Sequence, residues 1–140
     1  MKIKFQKLKE VKTPTYGTDG SAGLDFYLPG SYSYNLQPGL NKIDLGIAME
    51  IPEGYVLLLK EKSGLTIKHE LIKVAGVIDS DYRGEISVMY FYPMAEPGKI
   101  MGGGKIVQGI IVPVAQAELE EVNELSSTER GANGFGSTGL

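Results

Sequence analysis

The strongest constraint on this chain is an alternation of period two. Ile43, Leu45, Ile47, Met49 and Ile51 alternate with Asp44, Gly46, Ala48 and Glu50. A β-strand sends successive side chains to opposite faces, so the pattern predicts one half-buried strand. Pro52-Glu53-Gly54 predicts a turn into a second strand, Tyr55–Lys60. Ile86, Val88, Tyr90 and Tyr92 give another alternating face, ended by Pro93. Ile106–Ala115 is a longer β-branched run, interrupted at Gly109 and Pro113. Ile3, Phe5 and Leu8 suggest an N-terminal strand, and Leu24–Leu28 another. Pro-Gly pairs recur between the runs, at Pro29-Gly30, Pro38-Gly39 and Pro97-Gly98. Many short strands with frequent turn signals predict an all-β sandwich or barrel. One segment departs from this. After Ser63-Gly64-Leu65, the stretch Thr66–Lys73 does not alternate, and it reads as a short helix with Ser63 near its N-cap.

The chain has 140 residues, enough for one domain with its own core. It has no Cys, which excludes disulfides, thiolate metal sites and a Cys nucleophile. A chain without Cys is compatible with a reducing cytosol, and a cytoplasmic protein (host cytoplasm, if viral) is the expectation. A single His, His69, excludes a metal site built from several His. The net charge of −3 argues against a non-specific nucleic-acid binder. No apolar run approaches the ~18 residues of a membrane span, and the basic N-terminus lacks a signal peptide's apolar block. Neither a nucleic acid nor a membrane is therefore expected as a partner.

Glycine is abnormally frequent, at 19 residues. The glycines cluster at 102–104 and near the C-terminus, which suggests local backbone tasks. Residues 128–140 form a Gly-rich tail with only Phe135 and Leu140 as large apolar residues, so the expected division is a domain over 1–127 and a flexible tail over 128–140.

Five segments carry possible chemistry. Arg130-Gly131-Ala132-Asn133-Gly134-Phe135-Gly136-Ser137-Thr138-Gly139 combines a cation, exposed backbone N–H groups and two hydroxyls, which suits a phosphate. It is not a Walker A loop, since no Lys precedes the hydroxyls. Phe135 could stack on a nucleobase; a plain disordered end would have the same composition. Gly76–Gly84, GVIDSDYRG, looks like a hairpin with a polar turn. Asp79 and Asp81 could bind a metal, supply a general base or stabilise the turn. Lys62-Ser63-Gly64 opens the expected helix and could hold a phosphate or be an ordinary cap. Ser21–Asp25 is a Gly turn into a strand carrying a carboxylate, and Gly104–Gln108 places an amide at a strand start.

Together and in order, these segments resemble the five motifs of the trimeric deoxyuridine triphosphatases, the dUTPases, over nearly the whole chain. The resemblance implies a homotrimeric jelly-roll-like distorted β-barrel with one short helix and active sites at subunit interfaces. It implies Mg²⁺-dependent hydrolysis of dUTP to dUMP and pyrophosphate, serving nucleotide-pool sanitation and dTMP precursor supply. Asp79 would be the base that activates water. Tyr82 would pack against the deoxyribose, and the strand through Val77 and Ile78 would read uracil by main-chain groups. Lys62, Ser63, Gly64 and Gln108 would hold phosphates. Arg130, Phe135, Gly136, Ser137 and Thr138 would belong to the tail that closes over the nucleotide. Asp25 would support the site from behind. Mg²⁺ would be held by the phosphates and water, with no protein ligand. Arg83 and Asp81 are read as structural, and His69 as helix surface.

Two departures stand out. Lys62 occupies a position where the family usually has Arg, which keeps the charge and loses the planar fork. Gly104 replaces the usual Asp of the fourth motif. Two other readings compete. A dCTP deaminase shares the fold but acts on the base. A phage-type regulator would keep the fold and bind a protein partner, which no feature here identifies.

Overall fold

The computed structural model describes residues 1–31 and 33–134. Among them run twelve strands and one short helix. The strands form four antiparallel sheets that do not close on one another. The expected mostly-β architecture with a single helix is the one observed.

The largest sheet places β12 (Lys105–Pro113) between β3 (Leu24–Tyr27) and β7 (Tyr55–Lys60). Short strands β2 (Thr15–Tyr16) and β9 (Val77–Ile78) form its edges. A second sheet orders β5 (Gly39–Asp44), β10 (Ser87–Tyr92) and β8 (Ile72–Val74). Strand β1 (Lys4–Lys7) pairs with β6 (Ile47–Glu50), and β4 (Tyr34–Leu36) with β11 (Gly98–Ile100). One core lies between the sheets. Phe26, Leu36, Leu57, Ile86, Tyr90 and Ile106 in it are fully shielded from solvent. Each such large side chain contributes roughly 1.5–3 kcal/mol by leaving water. Tyr90 can be buried because its hydroxyl donates to the Ile106 carbonyl at 2.7 Å.

The structure departs from the sequence pattern in several places. The expected single strand across 43–51 is two strands, β5 and β6, with different partners. Gly46 sits between them at φ +68°, a left-handed conformation that redirects the chain. The apolar residues of the pattern are buried nonetheless, because both strands face the same core. Conversely, Gly109 does not interrupt β12. A Cβ there would lie 2.5 Å from Leu57 Cδ1 and 2.8 Å from Phe26 Cε2, so glycine serves packing between neighbouring strands.

The helix α1 (Ser63–His69) is shorter than expected and has no buried residue. Glu70 ends it at φ +53°, and Ile72–Val74 becomes strand β8, drawn into pairing with β10. Beyond Pro113 the described chain has no further strand or helix, and residues 113–134 are exposed. No helix of the described residues is long and apolar enough to cross a membrane.

Candidate functional site

Strand β12 gathers three of the sequence segments. Its Gln108 stands opposite Asp25 on one side and Lys60 on the other. The Gln108 amide donates to the Glu61 carbonyl at 3.0 Å. Gly23 leaves room for this amide, since a Cβ there would lie 2.5 Å from Gln108 Oε1 in its present position. Lys62 follows β7 and turns back onto Asp25, with Nζ 2.5 Å from Oδ1. Lys105, at the start of β12, takes the other oxygen at 2.7 Å. Asp25 is 4% exposed. Burial pushes its carboxyl up, but the hydrogen bonds from Lys105 and Lys62 outweigh that and hold it below the usual carboxylate range. The bond to Asp25 raises the Lys105 ammonium.

The sequence motifs assign Lys105 no role, although it directly follows the glycine run 102–104. Only the register of β3 against β12 shows that it meets Asp25. Lys62 is also the residue at the helix cap, with extended backbone and no side-chain cap bond. Ser63, expected near the cap, is the first helical residue; it and Gly64 are exposed.

The second group lies at the other end of β7. Val77 and Ile78 pair with Leu58 and Leu57 as an edge strand, and Asp79 follows. The segment is not the hairpin that the sequence suggested. β9 joins the large sheet, whereas β10 joins β5 and β8. Between them lies a tight turn in which the Tyr82 N–H donates to the Asp79 carbonyl at 3.2 Å. One Arg83 nitrogen donates to the carbonyls of Ser80 at 2.7 Å and Tyr82 at 2.9 Å, so Arg83 braces the turn. Asp79 and Asp81 are exposed.

Asp79 borders two depressions. One, of about 260 Å³, is walled by Val77, Ile78, Asp79 and Tyr82, with Lys42 and Glu85 behind. The other, of about 980 Å³, spreads over the apolar face of β7 and β12 and includes Arg83. Neither includes Asp25, Lys62, Ser63 or Gln108. The stretch of β7 from Leu57 to Lys60 covers ~10 Å, and Asp79 and Lys62 lie beyond its opposite ends.

Arg130 is exposed in a turn of its own, where Nε donates to the Asn133 carbonyl at 3.0 Å. The expected site residues Phe135, Gly136, Ser137 and Thr138 lie outside the described residues. Among the described residues, no group of three or more His, Asp or Glu side chains is gathered to hold a metal ion.

A protein-family model described as dUTPase matches residues 9–139. The deoxyuridine 5'-triphosphate nucleotidohydrolase of Nautilia profundicola is 45% identical, over 99% of both chains. That of Yarrowia lipolytica is 40% identical, over 100% of this chain and 90% of its own. Among solved structures, the Staphylococcus bacteriophage 80alpha dUTPase with dUPNHPP superimposes with a TM-score of 0.88 at 28% identity, over 99% of both chains. A mutant dUTPase of the S. aureus phage phi11, whose structure concerns the coordination of a structural Mg(II) ion, gives 0.79 at 26% identity, over 89% of this chain and 98% of that one.

Proposed function

This chain belongs to the dUTPase family, whose model covers nearly all of it, and from that premise we propose that it hydrolyses dUTP to dUMP and pyrophosphate by water attack at the α-phosphate. Asp79 is the general base. It takes a proton from the water as the water oxygen bonds to the α-phosphorus and the bridge to the β-phosphate breaks. Water is a poor nucleophile, and a positioned carboxylate is the group that improves it. The observation that carries the reading is that Asp79 and Tyr82 wall one pocket, with the carboxylate exposed to its contents. Tyr82 lies against the deoxyribose there. The β9 main chain reads the uracil edge, where thymine's methyl has no room and cytosine presents the wrong donor order.

Lys62, Ser63, Gly64 and Gln108 hold the phosphates, with Asp25 orienting Lys62 from below. Asp25 already accepts from two ammonium groups, which suits support rather than proton transfer. Mg²⁺, carried by the triphosphate and water, neutralises the phosphate charge when bound. Arg130, Phe135, Gly136, Ser137 and Thr138 belong to a tail over 128–140 that closes on the nucleotide.

The working unit is a homotrimer. In one copy, Asp79 and the Lys62–Gln108 group lie beyond opposite ends of a stretch of β7, away from a common pocket. A second copy can bring its phosphate-holding group to the first copy's Asp79. Purified protein should release pyrophosphate from dUTP in preference to dCTP, dTTP and UTP, and should scatter light as three times 15.1 kDa. Ammonia release from dCTP would instead establish the deaminase reading, and an active monomer would remove the shared site.

A further inference from the structure

The Tyr82 ring, 43% exposed, is held by neighbours that have no role in the chemistry described so far. Its hydroxyl donates to the Glu85 carbonyl at 3.0 Å. In that position the ring lies against Gly84, where a Cβ would come within 2.6 Å of Cζ and 3.0 Å of Cε2. The Gly84 backbone lies outside the left-handed region, so alanine there would meet no backbone strain and would have to displace the ring. Glu85 is anchored from behind. Its Oε1 accepts from the Gly46 N–H at 2.8 Å and pairs with Lys9 Nζ, also at 2.8 Å. The next residue, Ile86, donates to the Ile47 carbonyl at 2.8 Å and accepts from Leu45 at 2.9 Å. The carbonyl that receives the Tyr82 hydroxyl is therefore tied to the β5–β6 junction.

We propose that Gly84 and Glu85 are specificity-determining positioning residues: they hold the Tyr82 ring where it excludes a 2′-hydroxyl. The inference rests on the reading of Tyr82 as the residue against the deoxyribose. Deoxyribose and ribose differ by one oxygen atom. A wall rejects that atom only if it does not recede, and an exposed aromatic ring recedes by rotating about its side-chain bonds. The Glu85 carbonyl removes that freedom at the ring's tip. The absent Gly84 side chain supplies the space the ring occupies. Glu85 borders the same pocket, and the role inferred for it is exerted through Tyr82.

The test compares kcat/KM for dUTP and UTP in the full chain, with melting temperature measured alongside. Gly84→Ala should lower the dUTP-to-UTP ratio by about tenfold, the scale on which a pocket discriminates one small group. Glu85→Ala should lower it less, and Glu85→Gln should restore it, because the amide oxygen still accepts from Gly46. Combining Gly84→Ala with Tyr82→Ala should give the ratio of Tyr82→Ala alone, since no ring remains to displace. A purely structural role would lower both activities and the melting temperature together and leave the ratio unchanged; that outcome overturns the proposal. So does an equal further fall in the Tyr82→Ala background. If Tyr82→Ala itself leaves the ratio unchanged, the sugar-contact reading fails and takes this inference with it. If Tyr82→Ala moves the ratio and the other variants do not, only the positioning role fails. Should Gly84→Ala not fold, the pair Glu85→Ala and Glu85→Gln decides.

Discussion

Asp25 and Asp79 are carboxylates of the same large sheet, and the fold treats them in opposite ways. Asp25 lies on β3 beside the central strand, 4% exposed, with one lysine on each oxygen. Asp79 follows the edge strand β9, exposed, and no ion pair engages it among the described residues. A carboxylate whose oxygens are both engaged by ammonium groups is a weak base and a firm support. An exposed one at a pocket's rim has lone pairs to offer a water molecule. Environment, and not residue type, is what would separate the two proposed roles.

The comparison breaks most readily at Asp79. Asp79→Asn keeps the shape and removes the proton acceptor, so turnover should fall by about 10²–10⁴-fold while nucleotide affinity stays. Pyrophosphate release beside binding of a non-hydrolysable dUTP analogue measures both. Near-normal turnover would shift the base to Asp81, the other exposed carboxylate of the turn.

Removing residues 130–140 asks whether the exposed side of the comparison includes the tail. Hydrolysis should fall by about 10²-fold, the size of effect that loss of substrate positioning can have. Melting temperature and trimer mass should hold, because residues 130–134 are exposed with no strand partner and residues 135–140 add only Phe135 and Leu140 as large apolar residues. A folded, fully active truncation would take the tail out of the mechanism.

Asp25→Ala tests the buried side and should act on stability first. It removes two charge-assisted hydrogen bonds, each worth about 1.5–3 kcal/mol. Lys105 is 43% exposed and regains water, so a loss of about 2 kcal/mol is expected, read from denaturant unfolding.

The smallest effect is its pH dependence. The two lysines hold the folded Asp25 carboxyl below its ordinary value of 3.8. Its stabilisation is therefore complete above that value and is lost as pH falls through the lower, folded value. Asp44, lowered by hydrogen bonds from Ser87 and Lys42, acts in the same direction. Asp25→Ala should flatten the acid limb below about pH 4, leaving the part that Asp44 and the Lys4-paired Glu50 contribute. An unchanged acid limb would mean that Asp25 is not ion-paired in solution.

Local features were legible in the order of residues alone. Tyr55–Lys60 is a strand with the limits its apolar run predicts, and Ile86, Val88 and Tyr90 do face the core. These follow from a two-residue period, which is a property of neighbouring residues and needs no partner. The motif order also lies in the chain alone, and it is what makes Asp79, Tyr82, Lys62 and Gln108 candidates. Tertiary structure decided which segments meet. Gly46 divides one alternating run between two sheets, and the GVIDSDYRG segment enters one sheet and leaves by another. Helix α1 stops at His69 because Ile72–Val74 pairs with β10, a competition no local pattern records. Lys105 meets Asp25, and Glu85 reaches Gly46, across 80 and 39 positions of sequence. Strand register brings such groups together, and register depends on pairing between distant segments, which the period of either segment alone does not contain.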